Sequence, residues 1–191
     1  TYDKTDPVFT AVKLVSENKY EPSLSMVGDI ITVTMVASEH TRAPDITIGG
    51  SLGTVTGSGT TWTAVRALTA ADIEGSVSLS IDYLDLAGNA GAQATAATDG
   101  SVVTFDKTAP SGTIVHDGVG ADITYTGSDS TLSANWSAFT DEISGIANYE
   151  YASGTTSGGT EVGGWDTNGT DTANTKTGLS LSSGLSYYIS I

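Results

Sequence analysis

The sequence predicts an all-β protein built from two tandem β-sandwiches. Three observations support this prediction: a length of 191 residues, a charged content of only 15% beside 23 glycines, and apolar residues that recur at every second position between clusters of Gly, Ser, Thr and Asp. Sandwich domains are about 100 residues long, so this length fits two of them. Alternation with a period of two is typical of a strand with one buried side and one side in water.

An internal repeat divides the chain. Residues 1–7 read TYDKTDP and residues 104–110 read TFDKTAP. Because the two copies lie about one sandwich length apart, each is interpreted as the end of a last strand that runs into a linker, where Pro prevents further ladder pairing. The predicted domains are therefore 5–106 and 107–191, with residues 1–4 as the tail of a preceding repeat.

The first domain contains six segments with strand character before its last predicted strand, residues 102–105. Residues 29–37 are the clearest, because their apolar residues from Ile31 to Ala37 fall on one face. Gly49 and Gly50 suit the two-residue turn of a hairpin, and a turn cluster at 85–91 closes a second hairpin. Residues 69–74 could form at most one helical turn. The predicted strands are 11–15, 29–37, 45–48, 61–68, 76–84 and 92–97.

The second domain is predicted to be a sandwich without its final strand. Leu132, Ala134 and Trp136 share one face, as do Tyr187 and Ile189. The chain stops inside the last predicted strand, so that strand should be unpaired on one side. The predicted strands are 122–126, 131–136, 146–152, 162–165, 175–179 and 185–191.

Residues 5–106 resemble a bacterial immunoglobulin-like repeat of the kind found in large surface adhesins. Four phrases in order carry the resemblance: residues 28–34 (GDIITVT), 37–39 (ASE), 62–64 (WTA) and 81–89 (IDYLDLAGN). The resemblance implies an immunoglobulin-like sandwich from an extracellular, bacterial array. The absence of Cys also favours a bacterial source, because small secreted eukaryotic sandwiches are usually stapled by disulfides.

Residues 111–191 resemble a fibronectin type III module. Residues 132–136 (LSANW) match its second strand with a buried Trp, and residues 149–151 (YEY) match the third. Leu181 followed by Tyr187 resembles the tyrosine corner, in which the Tyr hydroxyl bonds to the upstream backbone.

Charge excludes some partners. The 22 acidic and 7 basic residues give a formal net charge of -15, which repels phosphate backbones and anionic lipid surfaces. The sequence therefore predicts no nucleic-acid partner and no membrane insertion in this stretch, which has no apolar run of about 20 residues. The same charge favours Ca²⁺, or else serves only to keep an extracellular protein in solution.

Carboxylates in predicted turns are the candidate calcium ligands, because Ca²⁺ takes about six to eight oxygen ligands. None of the clusters has the spacing of a known calcium loop, and Asp in a turn also bonds its own backbone. A calcium ion at a junction would join the end of one repeat to loops of the next. The candidate ligands are Asp3 and Asp6 at the first junction, Asp72, Glu74, Asp85 and Asn89 in the first domain, and Asp106 at the second junction.

No residue pattern indicates catalysis. The two histidines, His40 and His116, lie in different predicted domains and outside any nucleophile or zinc spacing. Trp165, between two glycines and Asp166, is a candidate ligand-binding residue that could stack on a sugar, alone or with Tyr20. The alternative for Trp165 is that it covers the edge of the sandwich.

Together these observations predict non-catalytic spacer repeats of a bacterial cell-surface or secreted adhesin-like protein. Their partners would be the neighbouring repeats and, through adhesion, surface glycans or proteins. Two alternatives stay open: a carbohydrate-binding or accessory region of a secreted hydrolase, and a subunit of an extracellular filament that assembles by strand exchange.

Overall fold

A computed structural model describes residues 2–112 and 114–191. Within these residues every regular element is a strand and none is a helix, which confirms the predicted all-β class. A search of this part of the chain finds no helix able to span a membrane. The chain divides into two compact units, Thr1–Thr108 and Ala109–Ile191. Thr1, the first residue of the N-terminal repeat copy, lies outside the described residues.

The first unit is made of three small sheets that are compatible with a β-sandwich. Its strands are β1 (Phe9–Ser16), β2 (Leu24–Ser25), β3 (Ile30–Ala37), β4 (Asp45–Ile48), β5 (Ser51–Leu52), β6 (Thr54–Ser58), β7 (Thr61–Ala67), β8 (Gly75–Ser76), β9 (Leu79–Asp82) and β10 (Thr104–Phe105). The sheet orders are β1-β3-β7-β6, β5-β4-β9 and β2-β10-β8. All pairs are antiparallel except β10 with β2.

The alternating residues of the sequence form the core of this unit. Met35 of β3 lies opposite Val12 of β1 and Trp62 of β7, and its side chain is fully buried. Full burial of such a side chain contributes about 1.5–3 kcal/mol to the stability of the unit. The buried cluster consists of Phe9, Val12, Leu14, Ile31, Val33, Met35, Ala37, Ile46, Ile48, Trp62, Ala64, Leu68, Val77, Leu79, Ile81, Tyr83, Val103 and Phe105.

Both ends of the first unit are tied down. At the start, Val8 and Ser38 exchange two hydrogen bonds: the Val8 amide donates to Ser38 Oγ at 3.0 Å, and the Ser38 amide donates to the Val8 carbonyl at 2.8 Å. At the end, the Lys107 amide donates to Glu74 at 2.8 Å, and the Lys107 ammonium donates to the Asp72 carbonyl at 2.9 Å. The segments that enter and leave this unit are therefore held against it.

The second unit contains two three-stranded sheets. Its strands are β11 (Val115–Asp117), β12 (Leu132–Trp136), β13 (Glu150–Gly154), β14 (Asp166–Thr167), β15 (Ala173–Lys176) and β16 (Tyr188–Ser190). The sheet orders are β11-β12-β15 and β14-β13-β16. Among the described residues, β16 pairs only with β13.

Aromatic side chains build the smaller core of this unit. Trp136 of β12 meets Tyr149 edge to face, with ring centroids 5.7 Å apart, and Tyr149 meets Phe139 in the same way. Ile189 of β16 packs against this cluster. The Tyr149 hydroxyl also accepts a hydrogen bond from the Phe139 amide at 2.9 Å, so one ring contributes both packing and a polar contact.

Three strand predictions were wrong in detail. Residues 122–126 form no strand, and the strand that borders β12 is β11, earlier in the chain. Residues 162–165 form no strand: residues 161–163 are a turn ahead of β14, and Gly164 after it adopts a positive φ of 39°. Residues 92–97 make only an isolated bridge, between Ala94 and Ile81. Residues 122–126 and 92–97 alternate, but neither has a ladder partner of matching length.

Candidate functional site: an acidic cluster in the first unit

Three carboxyl groups of the first unit converge on one another. The carboxylate oxygens of Asp3, Glu39 and Asp85 lie within 4.8 Å of one another, and we call these three residues the acidic cluster. Asp3 is exposed, Glu39 is half-buried and Asp85 is 1% exposed. The group therefore runs from the surface to the edge of the core.

The antiparallel register explains why these residues meet. Phe9 at the start of β1 pairs with Ala37 at the end of β3, so the segment before β1 lies beside the loop that carries Glu39. Asp85 follows β9, and its backbone bridges to Thr41 in that same loop. The side chain of Thr41 in turn accepts a hydrogen bond from the Trp62 indole at 2.8 Å. The core thus fixes the loops that hold two of the three carboxylates.

Asp85 is held by its own turn. Its carboxylate accepts hydrogen bonds from the Gly88 amide at 2.5 Å, from the Asn89 amide at 2.7 Å and from the Asn89 side chain at 2.7 Å. Burial would raise the pKa of Asp85, but these hydrogen bonds outweigh it and hold the pKa below its ordinary value. Asp85 is therefore a fixed negative charge, and the Asn89 amide nitrogen orients it.

The pKa of Glu39 is shifted in the opposite direction from that of Asp85. Burial, followed by the charges of Asp3, Asp85 and Asp6, raises the pKa of Glu39 above its usual value. The two ion pairs in the described part of the chain, Arg66 with Asp72 and Lys176 with Asp166, do not include the cluster. A cation bound between these oxygens would relieve the repulsion among them.

Asp72 and Glu74 lie instead near the segment that leaves the first unit. Asp72 pairs with Arg66 at 2.6 Å and accepts hydrogen bonds from the Thr69 amide and hydroxyl at 2.7 and 2.9 Å. Glu74 accepts from the Thr108 hydroxyl at 2.7 Å in addition to the Lys107 amide, and these bonds lower its pKa. The structure joins Asp85 to Asp3 and Glu39 rather than to this pair.

Asp106 is the third residue of the second copy of the repeat, as Asp3 is of the first. Its Oδ1 accepts a hydrogen bond from the Thr108 amide at 2.9 Å. Its Oδ2 is buried and has no hydrogen-bond partner among the described residues. Asp6 is exposed and contributes to the field at Glu39.

Glu39 is the residue that sequence reasoning missed. It stands in the ASE phrase directly after the clearest predicted strand, so a signal was present. The side-chain periodicity of β3 identified its buried face, but only the pairing of β1 with β3 shows that the residues before β1 lie next to Glu39.

Three aromatic residues noted in the sequence lie outside the acidic cluster. Trp165 is 53% exposed in the loop before β14, so much of its ring faces solvent. Tyr20 belongs to the first unit and is exposed beside Lys19, whose ammonium lies 4.5 Å from the ring centroid. The Tyr187 hydroxyl accepts a hydrogen bond from the Ser182 amide at 2.6 Å, a bond of the same kind as in a tyrosine corner.

Comparison of the chain with protein-family models and with curated proteins finds no match.

Proposed function

We propose that the chain is a pair of non-catalytic spacer units from an extracellular, adhesin-like bacterial surface protein. The observation that carries this proposal is that the chain is fixed where it enters and leaves the first unit. The Val8–Ser38 bonds hold one end and the Glu74–Lys107 bond holds the other. A unit tied at both ends transmits tension through its folded core, which suits a spacer.

The immunoglobulin-like and fibronectin-like resemblances support the same role. Separately folded sandwiches in tandem extend an array without requiring a larger core. Pro110, in the second copy of the repeat, restricts the backbone at the start of the second unit.

Calcium is the cofactor that we propose for the first unit. The acidic cluster gathers three carboxylates, with Asp6 nearby. Burial and then the charges of Asp3, Asp85 and Asp6 raise the pKa of Glu39, and a bound ion would offset the part that comes from these charges. Ca²⁺ suits this set because its ligands are oxygens and its geometry is tolerant. Since Asp3 lies in the segment that enters the unit, a bound ion would also lock that segment to two loops of the core.

Pulling single molecules by their two ends tests the spacer role. We expect the first unit to unfold in one cooperative event that lengthens the chain by about 3.3–3.6 Å per released residue. Calcium should raise the force of that event. Gradual extension without a force peak would contradict the spacer role. A peak whose force does not change with calcium would contradict only the proposal that calcium binds.

A second candidate, glycan binding, rests on the exposed indole of Trp165. Aromatic rings stack on sugars when one face is free. Binding to a glycan array that disappears in Trp165→Ala and persists in Tyr20→Ala would support this function over the spacer alone. Equal binding by the wild type and Trp165→Ala would remove it.

A further inference from the structure

The two outer strands of the four-stranded sheet in the first unit differ in their protection. β1 and β6 lie at opposite ends of the order β1-β3-β7-β6, and they are the longest outer strands in the described part of the chain. An outer strand presents unpaired backbone N–H and C=O groups to any strand that lies alongside. Whether these groups are covered therefore decides where another chain can pair.

β1 is covered by a later segment of its own unit. The Val12 amide donates to Thr98 Oγ1 at 2.8 Å, and the Thr98 amide donates to the Val12 carbonyl at 2.9 Å. The Leu14 amide donates to Ser101 Oγ at 2.9 Å. Lys13 on the same strand is exposed. A covering segment and an exposed Lys are both means by which proteins prevent pairing at a sheet edge.

β6 has neither form of protection. Among the described residues, its backbone forms hydrogen bonds only with β7. Four of its five residues, Thr54–Ser58, are exposed. No charged residue stands anywhere in the stretch 46–65. This open edge lies in the middle of the chain and belongs to the better-packed of the two units.

Charge makes this edge the favourable place for two copies of the chain to meet. With a formal net charge of -15, two copies repel one another. The repulsion is smallest where neither copy contributes a charge. The side chains that alternate with the buried ones on the two neighbouring strands are uncharged as well: Thr61, Thr63 and Val65 on β7, and Thr32, Thr34 and Val36 on β3.

The sequence of β6 also matches itself when one copy is reversed. In an antiparallel pair centred on Thr56, each Thr56 lies opposite the other and Thr54 lies opposite Ser58. Hydroxyl side chains therefore meet on the outer face, where such cross-strand pairs stabilise a sheet. Val55 lies opposite Gly57, so a large side chain faces a residue that has none. Such a contact uses the same strand in both copies, as in a two-fold symmetric dimer.

We propose that the first unit binds a second copy of the chain by antiparallel pairing of β6 with β6. The two four-stranded sheets then form one continuous sheet across both copies. Main-chain hydrogen bonds supply the affinity, and the register about Thr56 supplies the selectivity. This pairing goes beyond the spacer role, because it joins two chains side by side, and it does not depend on calcium.

Sedimentation of the full 191-residue chain in chelator tests the proposal, because calcium cannot then link carboxylates of two copies. The contact is small, so we expect weak association, with the average mass rising towards that of two chains between about 10 µM and 1 mM. Raising the salt concentration from about 0.01 to 0.15 M should strengthen this association, since it screens the repulsion between copies. A chain that stays monomeric, or a dimer that dissociates as salt is added, would overturn the proposal.

Lysine substitutions locate the contact. Thr56→Lys lowers the net negative charge of the chain, yet it places two like charges directly opposite each other. We therefore expect it to raise the Kd of the dimer about tenfold or more. Ala11→Lys adds the same charge at an exposed position of the covered strand β1 and should not raise the Kd. Equal effects of the two substitutions would overturn the assignment to β6.

A paired substitution tests the register. Thr54→Lys combined with Ser58→Glu leaves the net charge unchanged and places Lys opposite Glu twice across the contact, so it should lower the Kd about threefold or more. In the wild-type dimer, amide hydrogen exchange should slow at residues 54–58 and stay the same in β1. A paired variant that dimerises no more tightly than the wild type, or a dimer that leaves exchange at residues 54–58 unchanged, would overturn the proposal.

Discussion

Asp3 and Asp106 form the same hydrogen bond in the two copies of the repeat. In each copy Oδ1 accepts from the amide two residues further along, Thr5 and Thr108, and both distances are 2.9 Å. The shared sequence thus specifies a shared turn. The surroundings differ, because Asp3 lies with Glu39 and Asp85 whereas no such group of carboxylates includes Asp106 in the described part of the chain.

This pair provides a matched test of the calcium ligands. Asn at either position retains the oxygen that forms the turn and removes the charge. We expect Asp3→Asn to weaken calcium binding about tenfold or more and Asp106→Asn to leave it unchanged, as measured by titration calorimetry. The wild-type Kd should fall in the range of extracellular calcium modules, about 10⁻⁴–10⁻³ M. Loss of calcium binding in Asp106→Asn alone would show that the ion binds at Asp106, at the other end of the unit, and not at the acidic cluster.

The pKa of Glu39 predicts a pH dependence in metal-free protein. Because the folded-state pKa is raised above the usual 4.5, protonated Glu39 favours the folded state, and this contribution is lost as the pH rises through the folded-state value. We therefore expect Glu39→Gln to become more stable relative to the wild type as the pH rises above 4.5. Denaturant unfolding in chelator at several pH values measures this, and a constant difference between the two proteins would contradict it.

The lowered pKa of Asp72 predicts the opposite dependence of stability on pH. Burial would raise its pKa, but hydrogen bonds from the Thr69 amide and from Arg66 lower it below the usual 3.8. Ionised Asp72 therefore stabilises the fold above pH 3.8, and this contribution is lost as the pH falls through its folded-state pKa. At neutral pH we expect Asp72→Ala to lower the free energy of unfolding by about 1–3 kcal/mol. The exposed control, Glu17→Ala, should change it by less than about 0.5 kcal/mol.

The fold of the first unit could be predicted further than that of the second. In β3 and in residues 77–83, strict alternation identified the buried face, and every predicted inward residue from Ile31 to Ala37 is buried. Residues 122–126 also alternate, yet Tyr125 remains 89% exposed. Alternation predicts a strand only where a partner strand is present, and no strand in the described part of the chain pairs with this segment.

The candidate site could be predicted only in part. Asp3 and Asp85 were recognised because Asp in a turn is a typical calcium ligand, but their grouping depends on strand register. Asp72 was grouped with Asp85 from charge alone, and Arg66 turned out to be its partner. Charge composition indicates that a cation is favourable; it does not indicate which carboxylates meet.

We expect the Tyr187 hydroxyl to contribute measurably to the stability of the second unit. Tyr187→Phe removes the hydrogen bonds to the Ser182 backbone and should lower the free energy of unfolding by about 0.5–1.5 kcal/mol. Tyr125→Phe, in which an exposed hydroxyl without a partner is removed, is the matched control and should have no effect. Hydrogen exchange at β13 and β16 reports this unit separately. Equal effects of the two variants would show that the bond contributes nothing.

The melting temperature of the first unit in calcium and in chelator tests directly whether calcium binds the acidic cluster. If calcium binds the acidic cluster, a concentration about 100 times the Kd stabilises the fold by about 2.7 kcal/mol, which corresponds to a rise of about 12 °C for a unit of this size. We expect this rise for the wild type and for Glu17→Gln, and its loss in Glu39→Gln. Identical melting of the wild type in calcium and in chelator would contradict it.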